Sequence, residues 1–121
     1  MWILYYLAIS AYGRAIRIAA RFNPKAKAWI NGRKNWHNKL KAQIGNDPRK
    51  RIWFHCASLG EFEQGKPVME AMREAYPDHL IVVSFFSPSG YEIRKNDKVA
   101  DAICYMPLDG PIRSPRELVD A

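Results

Sequence analysis

Hydrophobic residues follow two different patterns along this chain. Up to about residue 48 they recur at helical spacing among many cations, and beyond it compact apolar runs alternate with helical stretches. The first run, Trp2 to Tyr12 (WILYYLAISAY), is apolar apart from Ser10 and stops near Gly13. Arg14, Arg17 and Arg21 follow on one helical face, with Ile16, Ala19 and Ala20 opposite. Asn23-Pro24 is a restart signal, a capping side chain before a proline suited to the first helical position. From Lys25 to Ile44 the residues Ala26, Trp29, Trp36 and Leu40 keep helical spacing, and Gly32 weakens the helix in the middle. Gly45-Asn46-Asp47-Pro48 is turn chemistry and marks a boundary.

Beyond that boundary Ile52 to Cys56 has the character of a buried strand and runs into Ala57-Ser58-Leu59-Gly60 and the acidic Glu61. Phe62, Gly65, Met69, Met72 and Tyr76 then alternate in steps of three and four, which predicts a helix packed on a sheet. Pro67 falls inside this pattern, so the regular helix is expected to begin near Lys66, leaving Glu61 to Gly65 as an irregular first turn. Leu80 to Phe86 (LIVVSFF) is too continuously apolar to have a solvated face and predicts a central parallel strand. Ser87-Pro88-Ser89-Gly90 opens another helix to about Asn96, and Ala102 to Met106 is a third strand. Pro107 to Pro111 forms a loop, and Ser114-Pro115-Arg116-Glu117 starts a further helix. The fold expected is α/β, a partial Rossmann-like parallel sheet in a βαβαβ order preceded by helices. Three segments result: residues 1–22, an apolar and basic helix; 23–48, a basic helical segment; and 49–121, the βαβαβ part.

Charge sharpens this division. Residues 1–51 carry twelve Lys/Arg against the single Asp47, net +11, whereas residues 52–121 carry seven against eleven, net −4. The basic half suits phosphates on a membrane surface or a nucleic acid, but no recognised nucleic-acid motif is present and none is expected as partner. The aromatic and arginine placement near the N-terminus predicts a membrane anchor, with Trp2, Tyr5, Tyr6, Arg14, Arg17 and Arg21 at the interface. The alternative is a helix packed on the domain's own core. Cys56 and Cys104 sit in strand-like runs and are expected as buried free thiols, and no Cys/His spacing indicates a metal.

Strand carboxyl ends are where open α/β sheets bind ligands, so Ser58, Gly60 and Glu61 are candidate site residues. Gly60 tolerates unusual backbone angles, and the helix N-terminus offers free N–H groups to an anion. Both Ser58 and Ser87 serve equally well as plain helix caps.

Three ordered stretches, His55-Cys56-Ala57-Ser58-Leu59-Gly60-Glu61, Ser84 to Gly90, and Tyr105-Met106-Pro107-Leu108-Asp109, resemble the N-terminal domain of bacterial 3-deoxy-D-manno-octulosonic acid (Kdo) transferases. The resemblance covers nearly the whole chain. It implies the N-terminal half of a GT-B glycosyltransferase that moves Kdo from CMP-Kdo to the lipid A precursor, lipid IVA, at the cytoplasmic face of the inner membrane, without a metal or other cofactor. It also implies that Glu61, at the glutamate of the family's HxxSxGE pattern, is the general base, with Ser58, Gly60, Ser87, Ser89 and Gly90 along the acceptor crevice. Such enzymes are about three times this length, with a second α/β domain for the donor nucleotide. The chain is therefore expected to be a fragment, inactive alone. The competing reading is a non-catalytic, membrane-associated basic α/β module in which Glu61 is an ordinary first-turn carboxylate. A dinucleotide-binding domain ranks last, because no GxGxxG follows the first strand.

Overall fold

The computed structural model describes residues 1–108. The expected loop from Asp109 to Pro111 and the helix start at Ser114 lie outside the described residues. Within them the elements run α1 (Trp2–Ala19), α2 (Pro24–Arg33), α3 (Trp36–Ile44), β1 (Arg51–Cys56), α4 (Leu59–Ala75), β2 (Leu80–Phe85), α5 (Pro88–Arg94) and β3 (Ala102–Tyr105). The three strands form one parallel sheet in the order β1-β2-β3.

β2 is central and buried throughout, as its unbroken apolar run requires. Its alternate residues supply two cores. Leu80 and Val82 pack with Trp36, Leu40 and Ile44 of α3 and with Ala102 and Cys104, while Ile81, Val83 and Phe85 pack with Phe62 and Met69 of α4, Cys56 and Ile103. The sheet is thus covered on both faces, by α3 on one and α4 with α5 on the other. The two thiols are free and buried, one in each core, so the sheet itself separates them.

β1 differs from the buried strand expected. It alternates between exposed and half-buried positions until Cys56, because it lies at the sheet edge and α3 reaches only the other two strands on its face. Trp53 and His55 point to that open side and are tied to it by one buried hydroxyl. The Ser84 Oγ accepts from Trp53 Nε1 at 2.8 Å and lies 2.9 Å from His55 Nδ1. At the opposite edge Gln43 acts as a single-residue strand: its Nε2 donates to the Ile103 carbonyl at 3.0 Å and its Oε1 accepts from Ile103 N at 2.8 Å.

Two expected helices change shape. The basic segment divides into α2 and α3 at Lys34-Asn35, where Asn35 takes the left-handed conformation with φ 56°. Gly32 is not the break: it stays in α2, and a Cβ there would collide with the ring of Tyr105. Conversely, α4 starts at Leu59 and continues through Pro67. Pro67 is exposed, so the Glu63 carbonyl that loses its amide partner faces solvent and can be hydrated. Phe62 and Met69 hold the opposite side in the core on either side of the proline.

α1 packs on α2, where the Tyr12 ring meets that of Trp29 edge-on at 6.2 Å, and Tyr6, Ile9, Gly13, Ile16 and Ala20 are half-buried at spacings of three and four. Its outward side stays apolar, with Trp2, Ile3, Leu4 and Leu7 between 59% and 76% exposed. No helix among the described residues is long and apolar enough to cross a membrane.

Candidate functional site at the strand ends

The carboxyl ends of β1 and β2 run straight into helix starts, and the parallel register sets them side by side with Cys56 opposite Phe85. Backbone bonds continue past the strands, from Phe86 N to the Cys56 carbonyl (3.3 Å) and from Ser87 N to the Ala57 carbonyl (2.9 Å). The two Ser-containing turns are therefore joined into one ledge.

Ser58 caps α4, its Oγ accepting from Glu61 N at 3.4 Å, while Glu61 Oε2 accepts from Ala57 N at 2.6 Å. This reciprocal arrangement is a relative of the capping box, and it satisfies amide donors that the first turn would leave free. It also fixes the carboxylate over the turn with Oε1 unengaged among the described residues. Glu61 is exposed. The first turn is thus regular helix, and the carboxylate lies at the strand end because α4 begins seven residues before the expected start.

Ser87 caps α5, its Oγ accepting from Ser89 N at 3.3 Å and lying 2.7 Å from Ser89 Oγ. The glycines diverge. Gly60 is helical without positive φ, and a Cβ there would meet nothing nearer than Ser58 Oγ at 3.9 Å, so its backbone angles do not require glycine. Gly90 is buried, and a Cβ would come within 2.5 Å of the Phe85 ring and 3.2 Å of Leu59 N, so its smallness lets α5 seat against β2 and the start of α4. Ser58, Gly60, Glu61, Ser87 and Ser89 share the ledge, with Gly90 packed beneath it.

A residue that sequence reasoning passed over braces this ledge. Arg33 of α2 donates to the carbonyls of Phe86 (2.8 Å), Met106 (3.0 Å) and Trp29 (3.1 Å). Its guanidinium also lies 3.8 Å from the Trp29 ring centre and 4.8 Å from that of Phe86. Burial pushes its pKa down to about 10 against the opposing influence of Tyr105 and Tyr12. Farther along, Asp101 accepts from Ile81 N and Arg73 and so anchors β3 to β2. The sequence marks Arg33 only as one cation in a basic run. Burial also raises the Cys56 thiol, with Glu61 adding to the effect, and lifts Cys104 to about 12, which leaves both as thiols.

The family model for "3-Deoxy-D-manno-octulosonic-acid transferase (kdotransferase)" matches residues 16–119. The chain belongs to the Kdo transferase family. Among curated relatives, the 3-deoxy-D-manno-octulosonic acid transferase of Aquifex aeolicus (strain VF5) is 30% identical over 66 residues, 54% of this chain and 18% of that protein. The probable mitochondrial 3-deoxy-D-manno-octulosonic acid transferase of Arabidopsis thaliana is 33% identical over 72 residues, 59% of this chain and 16% of that protein. These matches thus span less than a fifth of either relative. No solved structure matches significantly. The Kdo transferase motif His55-to-Glu61 falls on the end of β1 and the start of α4, and the second serine stretch on the neighbouring turn.

The remaining sequence candidates lie apart from the ledge, on α1. Trp2, Tyr5, Arg14, Arg17 and Arg21 are exposed, and Tyr6 is half-buried, with its ring 5.6 Å from that of Tyr5.

Proposed function

We propose that this chain supplies the acceptor side of a GT-B Kdo transferase, which moves Kdo from CMP-Kdo to the lipid A precursor with inversion. The observation that carries the reading is Glu61, held by Ala57 N–H at the end of β1 beside the Ser87–Ser89 turn, in a chain that belongs to the Kdo transferase family. In this reading Glu61 takes the proton of the acceptor hydroxyl as its oxygen attacks the anomeric carbon of Kdo. The new glycosidic C–O bond forms as the bond from that carbon to the phosphate oxygen breaks, and CMP leaves with the electron pair. Ser58 and the Ser87–Ser89 pair orient acceptor hydroxyls, and Gly60 leaves the turn uncovered. The donor nucleotide binds mainly outside these residues, so the 121-residue chain alone does not turn over CMP-Kdo. α1 lies in the membrane interface at the cytoplasmic face of the inner membrane, its exposed Trp2, Ile3, Leu4 and Leu7 in the lipid and Arg14 and Arg21 at anionic headgroups.

Binding to liposomes with and without the lipid A precursor, at low and high salt, tests the proposal. Selective binding that weakens in Glu61→Ala and Ser87→Ala is expected. Equal, purely salt-sensitive binding to every anionic liposome would leave the second reading, a basic membrane-surface module. That reading is favoured by one observation, the engagement of Glu61 Oε2 in capping.

A further inference from the structure

A cavity of about 500 Å³ lies between α1, the α2–α3 junction and the residues after β3. Arg17, Arg33 and Lys34 line it together with Trp29, Trp36 and Leu108, and no Asp or Glu does among the described residues. None of the three cations pairs with a carboxylate among the described residues. Among the described residues Arg33, half-buried, is compensated only by carbonyls and ring faces, and two of its five N–H donors remain unassigned. The neighbouring Trp29 is 8% exposed, and its Nε1 is buried without a hydrogen-bond partner among the described residues. Three positive charges from two separate places on the chain, with spare N–H donors at the wall, are the arrangement a multivalent anion needs.

We propose that this cavity binds a phosphomonoester. A tetrahedral dianion presents three oxygens in different directions and so can engage Arg17, Arg33 and Lys34 together, whereas a carboxylate offers one charge in one plane. The indole walls suit the organic portion of the ester, and the cavity has room for a sugar or glycerol unit. The site uses none of the ledge residues and does not rest on the transfer reading. A lipid headgroup and a soluble phosphate ester share this chemistry.

Inorganic phosphate and glycerol 3-phosphate titrated into the full chain at constant ionic strength, with chloride as reference, provide the test. The indole N–H resonance of Trp29, identified by its loss in Trp29→Phe, is the readout. A saturable shift is expected, weakened roughly ten-fold or more in the double variant Arg17→Gln/Lys34→Gln. Both side chains are exposed, so the fold should persist, and circular dichroism checks it. No saturable shift, an equal response to chloride, or unchanged binding in the double variant overturns the proposal. Vesicles of phosphatidylcholine carrying phosphatidic acid or phosphatidylglycerol at matched charge separate the sources. Preference for phosphatidic acid that the double variant loses assigns the site to a lipid headgroup. Soluble-ester binding without that preference assigns it to a free phosphate.

Discussion

At the scale of single residues, the three glycines near the site have three different reasons to be small. Gly32 yields its space to the Tyr105 ring, Gly90 to Phe85 and Leu59, and Gly60 to nothing nearer than Ser58 Oγ at 3.9 Å among the described residues. Gly32→Ala should therefore destabilise the protein by about 1–3 kcal/mol through overpacking, read as a lowered urea midpoint at unchanged slope. Gly60→Ala should do the reverse, by about 0.5–1 kcal/mol, because its angles are helical and its surroundings open. If the space beside Gly60 receives the acceptor, the same stabilised variant binds acceptor liposomes more weakly, and unchanged binding would remove Gly60 from the crevice. No sequence pattern distinguishes these glycines, because each depends on what another element places against it.

Among the elements, α4 shows how burial overrides a local penalty. Pro67 breaks one backbone bond, yet Phe62 and Met69 fix the helix on the sheet on both sides of it. Pro67→Ala should restore the amide bond to Glu63 and raise stability by at least about 1 kcal/mol, with the denaturant midpoint moving upward. The loop between α5 and β3 supplies the pH dependence. Burial works to raise the Asp97 carboxyl, but the Val99 N–H and Lys66, with Arg94, outweigh it and hold the pKa below its usual value. At the boundary turn, Arg49 lowers Asp47 to about 2. Because both folded-state values are depressed, the stability these groups contribute is present above the ordinary Asp pKa of about 4 and is lost as pH falls through the folded-state values, about 2 for Asp47. An acid titration by circular dichroism should show this loss, and Asp97→Asn should flatten it. An acid limb identical in the variant would move the effect to other carboxylates.

For the molecule as a whole, Arg33 joins the basic N-terminal half to the ends of the sheet. Its bond to Met106 spans 73 positions of sequence and its bond to Phe86 spans 53. Replacing it with methionine keeps bulk but leaves three carbonyls without their donor, and should cost about 3 kcal/mol in a denaturant melt. Lysine should recover little of this, because its point charge cannot reproduce a planar fork stacked on Trp29. A near-wild-type melt for both variants would show that α2 is held by its apolar contacts alone.

The sequence by itself determined what depends on near neighbours. Asn23-Pro24 and Ser87-Pro88 each start a helix where their capping chemistry places it, and the apolar run from Leu80 became the central strand. The His55-to-Glu61 motif was also readable as that of the Kdo transferase family, because its residues are contiguous. Only the tertiary structure decided that β1 is a half-open edge, that Gln43 closes the other edge, and that Arg33 braces the ledge carrying Glu61. Caps and periodicity act within one or two turns, whereas strand order and buried polar partners arise when segments far apart in sequence compete for the same surface.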